Sequence, residues 1–296
     1  MKTILTLTGA VLLLSAVTSK AITAEPAATI TFPLPAGNTF MAPALVKPQL
    51  DCRKPATVGG LTITFTGAAW TAGAFSTGIM GPSHYVEIIS GPSEGCWADI
   101  VANTSSTLTL ATSLSGYTTA DDFVIRKHVT LDQLSGFSAF SDIVRLPSMP
   151  SFAGPEYITD GIDWYDANTF TITPGVPIPP CQTLMAVMSS PATVSFAGRV
   201  RQTKICCPLQ TGWNLVPQPA KPIGASFGSW TLGTSLLSTT ATPLAMVIAN
   251  FSIPPGPIAV IFPPAPWAPA GSAATVLTAG NVAYVFTMPP AKKWCR

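Results

Sequence analysis

The 296-residue chain carries 15 basic and 13 acidic side chains, and charged residues are only 9% of it, against about 25% in an ordinary soluble domain. Its 47% hydrophobic content excludes a disordered chain, which is charged and apolar-poor. The near-balance of charge excludes a nucleic-acid binder, which needs a concentrated basic surface.

The chain opens MKTILTLTGAVLLLSAVTSKA. Lys2 is a short basic region, Ile4 to Val17 is an uncharged apolar run, and Ser19, Lys20 and Ala21 form a small-x-small site. This is the pattern of a secretory signal peptide, 1–21, cleaved after Ala21. The run is too short for a membrane span of about 20 apolar residues. Cleavage takes Lys2 and Lys20 from the 15 bases and none of the 13 acids, so the formal net charge falls from +2 to zero. Later apolar stretches such as PLAMVIANFSIPPGPIAVIFPP are broken by prolines, so no transmembrane segment is expected after signal removal. The expected location is extracellular or at the cell surface. So few charges leave two outcomes for the surface. It self-associates, or it stays monomeric under Ser, Thr, Gly and Pro.

Short β-branched or aromatic runs then follow one another: LTITFTGAAW, YVEIIS, TLTLAT, FVIRKHVTL, FTITPG, ATVSFAGRV and VAYVFTM. Gly, Pro, Asn and Ser punctuate them. No amphipathic helix follows the leader. The expected class is all-β, built from sandwich or barrel-like units.

Two pairs of segments repeat. PLPAGNTFMAPALVKP at 33–48 matches PLQTGWNLVPQPAKP at 208–222, and ITPGVPIPPCQTLMAVMSSPA at 172–192 matches LTAGNVAYVFTMPPA at 277–291. The repeat predicts two related units, each opening and closing with strands that pair in one sheet. The first unit takes 22–52 plus 131–200, and the second 201–296. Between the halves of the first, residues 53–130 form an inserted antiparallel β-hairpin module.

All six cysteines, Cys52, Cys96, Cys181, Cys206, Cys207 and Cys295, follow the leader. An even number in an exported chain points to disulfides. Cys206 and Cys207 are adjacent on a strand, so their side chains face opposite ways and must bond to two different cysteines. Cys181 is a plausible partner for one, and Cys52 or Cys295 for the other. Cys96 is the candidate free thiol or interchain link. With only His84 and His128 and no C-x-x-C, no zinc site or other cofactor is expected.

The segment YVEIISGPSEGCWADIVANTSSTLTLATSLSGYTTADDFVIRKHVTLDQL resembles the signature region of an uncharacterised family of secreted bacterial β-rich proteins. The resemblance rests on the strand Tyr85 to Glu87, the turn Ser90 to Gly95, the hairpin Ile100 to Leu110, and Phe123 to Arg126 before Thr130 and Leu131. GWNLVPQPAKP resembles the opening strand of β-rich surface modules. The resemblance implies an exported β protein and leaves its chemistry open.

GPSEG at 91–95 fits the Gly-x-Ser-x-Gly elbow of serine hydrolases, with Ser93 as nucleophile and His128 and Asp99, Asp121 or Asp122 downstream. An elbow needs a helix after the turn. Strand-like segments flank this one, so it reads as a hairpin turn. GASFG around Ser226 has no later histidine. DGIDWYDAN at 160–168 places Asp163, Trp164 and Tyr165 as possible ligand contacts. Carboxylates suit calcium and aromatic faces suit a sugar ring. The plainer reading is a hairpin turn. Asn103 and Asn250 head glycosylation-type tripeptides. No catalytic residue is assigned. The expected function is a secreted, non-enzymatic structural or assembly protein of the cell envelope or matrix. The alternative is a carbohydrate-binding or adhesive module using Trp70, Trp97, Trp164 and Tyr165, and a secreted hydrolase comes third.

Overall fold

The computed structural model describes residues 25–217 except 58, 149 and 150, and beyond them 219, 221–223, 226–228, 230–231, 247–249, 276–277, 282–287 and 292–295. The proposed leader and its cleavage site lie outside these. The fold is all-β. Among the described residues the helical content is one 3-10 turn, Leu131–Gln133. No described helix is long and apolar enough to cross a membrane.

The principal strands are β1 (Ala27–Leu34), β2 (Gly37–Met41), β3 (Gln49–Arg53), β4 (Thr62–Thr64), β5 (His84–Ile88), β6 (Trp97–Asn103), β7 (Thr107–Leu110) and β8 (Phe123–Lys127). Then come β9 (Leu134–Ser135), β10 (Ile143–Arg145), β11 (Glu156–Thr159), β12 (Trp164–Asp166), β13 (Leu184–Met188) and β14 (Ala192–Arg199). The last are β15 (Cys206–Leu209), β16 (Gly212–Pro217), β17 (Val247–Ala249), β18 (Val282–Thr287) and β19 (Lys292–Cys295).

Two sheets make a sandwich. One is β1-β14-β9 and the other β12-β11-β10-β13-β2. Alternation in ATITFPL turns Ile30, Phe32 and Leu34 inward, where they meet Met41, Val144, Trp164, Leu184 and Ala186 from the facing sheet. The other face of the five-stranded sheet is covered too. Phe40 and Met185 pack there with Val282 and Leu215.

The segments that resemble each other in sequence fall on paired strands. Gly37 pairs with Met188 and Met41 with Leu184. Likewise Gly212 pairs with Thr287 and Pro217 with Val282. In both, the opening strand lies antiparallel to the closing one.

The third body is a six-stranded sheet, β3-β8-β5-β6-β7-β4. Its edges meet, since Pro55 bridges Phe65 and the Ala56 N–H bonds to Thr64 O at 2.7 Å. The sheet therefore curls into a small barrel around Ile63, Phe65, Val86, Ile88, Ile100, Leu108 and Phe123. Its boundary differs from the sequence expectation at Arg53. Gln49–Arg53 pairs with Phe123–Lys127, so the entering strand belongs to the barrel. The physical reason is closure, because an insertion whose ends must meet is completed by pairing its entry with its exit. The barrel does not stand clear of the chain. Cys206, at the start of β15, is part of its core.

Two disulfides form, Cys181–Cys207 and Cys206–Cys295, with Cα atoms 5.5 and 3.9 Å apart. The adjacent cysteines thus take two different partners. Cys206 and Cys295 lie opposite each other where β15 pairs with β19. Cys52 is in neither bond, and Cys96 is a buried free thiol.

Candidate functional site

The GPSEG stretch is the turn between β5 and β6. Glu94 N–H bonds to Gly91 O, Gly95 N–H to Ile88 O, and the Ser93 hydroxyl donates to Ser115 O at 2.9 Å. Asp121 is occupied by the N–H and hydroxyl of Thr118. His128 Nε2 lies 2.9 Å from Asp99 Oδ1, but beside Ser83 at the far end of β5. Four residues of strand, about 13 Å, separate that end from the turn. Ser93 and the His128–Asp99 pair therefore do not converge.

The DGIDWYDAN stretch is the β11–β12 hairpin and its exit. Trp164 faces inward, is buried, and packs edge-on against Phe137. It offers no face to a ligand. Asp160 Oδ1 accepts the N–H groups of Ile162 and Asp163, and Oδ2 accepts the Tyr165 hydroxyl at 2.8 Å. The bonds from Asp163 and Ile162, with that from Tyr165, hold Asp160 below the usual carboxylate range, and the same carboxylate pushes the Tyr165 phenol up. Asp166 is likewise lowered by the N–H groups of Thr169 and Asn168. The Asp163 side chain is exposed. Asp160 and Asp166 thus hold the hairpin's own backbone. Among the described residues no group of three or more His, Cys, Asp or Glu is placed to hold a metal ion.

Tyr165 faces out, and here the structure adds residues that sequence reasoning missed. Phe140 lies against Tyr165, ring centroids 5.6 Å apart, and Ile172 bridges it across the sheet edge. Phe140 is 54% and Ile172 55% exposed. Ile162 and Phe170, 87% and 66% exposed, flank them in the two adjoining turns. Phe140 and Phe170 both take a left-handed backbone, φ 53°. A bulky side chain is rarely held so, and such outliers gather at functional sites. One signal was legible: DANTF and GFSAF each set a phenylalanine at the end of a turn-forming run.

Of the other aromatic candidates, Trp70 is enclosed by Phe65 and Phe75 and donates its indole N–H to Asp51 at 2.6 Å. Trp97 is half-buried, packs edge-on against Tyr85, and walls two clefts. One, about 320 Å³, continues along Gln182, Thr183, Gln210 and Asn214. The other, about 380 Å³, runs along Cys96, Asp99, Cys206 and Lys293. Asn103 is buried, with its amide bonded to Thr71 O, Thr104 O and Phe75 N–H, so it has no free nitrogen for a glycan. Asn250 and Ser226 belong to stretches of which only backbone or nothing is described.

Comparison with family models, with curated proteins and with solved structures finds no match to this chain.

The strongest electrostatic feature lies on the outer face of the barrel. Alternation along YVEII and FVIRK puts Tyr85, Glu87 and Arg126 on that face. Arg126 meets Glu87 Oε2 at 3.2 Å and Glu25 twice, and Arg201 pairs with Glu87 and donates to Tyr85 OH. All five side chains are buried. Burial works against the charge on Arg126, but Glu87 and Glu25 outweigh it and keep the guanidinium ionised. Two acids and two bases balance, and the network ties together four distant parts of the chain, around residues 25, 87, 126 and 201. The sequence carried its mark, an acid and a base inside otherwise apolar strands.

Proposed function

We propose that this chain is an exported, non-enzymatic β protein of the cell envelope or extracellular matrix that works by self-association or assembly. The observation that carries the reading is the strip of Phe140, Tyr165 and Ile172, flanked by Ile162 and Phe170, at the edge of the five-stranded sheet. Isolated exposed apolar residues are ordinary, whereas a group of them along one sheet edge supports a contact surface. Four of the chain's few charges are withdrawn into the buried network, which leaves still fewer to keep surfaces apart. The disulfides support export, since such bonds persist in oxidising compartments.

Sedimentation velocity over a range of concentrations tests this. Association is expected for the native chain and is expected to weaken in Phe140→Ser and Ile172→Ser. A native monomer at every concentration would count against assembly. A carbohydrate-binding reading rests on Trp97, whose ring walls the 320 Å³ cleft. Retention on a glycan array that is lost in Trp97→Ala would favour it instead.

A further inference from the structure

Three cysteines share one side-chain cluster. Cys96, at the end of the GPSEGC turn, and Cys206, at the start of β15, are both buried in the barrel core, and Cys295 packs against the same cluster. The turn and β15 are locked together, because Cys206 N–H bonds to Gly95 O at 2.9 Å and Cys206 Sγ lies 3.4 Å from Glu94 O. Cys206 is already bonded to Cys295, while Cys96 is a free thiol. Lys293 Nζ lies 3.6 Å from Cys96 Sγ, which puts a cation against the sulfur. The 380 Å³ cleft is lined by Cys96, Cys206 and Lys293 together, so solvent reaches the place where they meet.

We infer that Cys96 and the Cys206–Cys295 bond form an internal thiol–disulfide exchange site. The ionised sulfur is the form that attacks a disulfide. Cys96 loses its proton to water and its sulfur attacks Cys206 Sγ. The Cys96–Cys206 bond forms as the Cys206–Cys295 bond breaks, and the electron pair leaves on Cys295 Sγ, which then takes a proton. Cys96 is oxidised and Cys295 reduced, so no outside oxidant is needed. Cys96 itself is too buried to meet another chain, but Cys295 is only half-buried. The exchange passes a reactive thiol from the core to the surface and releases β19 from its covalent hold. Cys181–Cys207 plays no part in it.

The test holds the purified full chain at about pH 8 in oxygen-free buffer without added thiol. Aliquots are trapped with N-ethylmaleimide and mapped without reduction. Label is expected to move from Cys96 to Cys295 as a Cys96–Cys206 peptide appears. Cys96→Ser should lose both signals and keep Cys206–Cys295 intact. Lys293→Gln, altered on an exposed side chain, should fold normally and exchange about threefold or more slower. Label that stays on Cys96, or that reaches Cys295 equally in Cys96→Ser, would overturn the assignment. Because the exchange is read within one chain, its failure is distinct from a failure to self-associate.

Discussion

Arg126 holds Glu25, 101 residues away in sequence, with both terminal nitrogens, 2.7 Å to Oε2 and 2.6 Å to Oε1. Arg126 has no solvent exposure. The residue that begins the described fold is therefore clamped to the outer face of the barrel. A planar guanidinium suits such a two-point grip on a carboxylate. Breaking a buried pair by removing one partner strands the other charge. Arg126→Met should therefore cost about 3–5 kcal/mol of unfolding free energy. Glu25→Gln keeps the side chain's shape and should cost less. Urea denaturation of both variants measures this, and an Arg126→Met loss under about 1 kcal/mol would show that the network is not structural.

His84 sets a pH window. Burial, then the charges of Lys127 and His128, lower it from 6.5 to about 4. The folded state therefore favours the neutral ring, and the unfolded chain binds more protons between those values. The stabilisation is complete above pH 6.5 and is lost as pH falls towards 4, by at most about 3 kcal/mol. Asp142 acts lower down. Burial pushes it up, but bonds from Ser138 and Ser189 outweigh that and hold it below its ordinary value. Its contribution is present above the usual carboxylate range and disappears as pH falls below it. Stability followed against pH should show the upper slope flattened in His84→Gln and the lower slope unchanged.

Cys181–Cys207 closes a sequence separation of 26 residues and ties the sandwich to β15. Replacing both cysteines by alanine should lower stability by about 2–4 kcal/mol. Non-reducing peptide mapping of freshly purified protein should find this bond and Cys206–Cys295. A Cys206–Cys207 bridge would contradict the fold at β15.

Phe140 holds a left-handed backbone that glycine adopts without strain. Phe140→Gly should leave stability unchanged or raise it by up to about 1 kcal/mol, while weakening association. Thermal denaturation and sedimentation read the two effects separately. A large loss of stability would make Phe140 a core residue rather than a contact residue.

Gly95, also at positive φ (+90°), would place an added Cβ 2.9 Å from the Lys204 carbonyl carbon. Gly95→Ala should force the GPSEGC turn away from β15, at a cost of about 1–3 kcal/mol. Hydrogen exchange should show faster opening at Cys206, whose N–H bonds to Gly95 O. Unchanged protection there would mean that the two segments are held by other contacts.

Local chemistry determined much of this from the sequence alone. Period-two patterning and turn residues make an all-β chain. The twin segments around Gly37 and Gly212 anticipate two equivalent strand pairings, and the side-chain alternation of a strand sends Cys206 and Cys207 to different partners. These properties depend on neighbours in the chain. Which partner each cysteine meets, that Gln49–Arg53 belongs to the barrel, and that Trp164 turns inward while Tyr165 turns out were decided by packing between segments far apart. The charges show the difference most clearly. Composition says only that they are scarce. Burying Glu25, Glu87, Arg126 and Arg201 is tolerable only because the fold brings all four together, and no local rule in the sequence specifies that meeting.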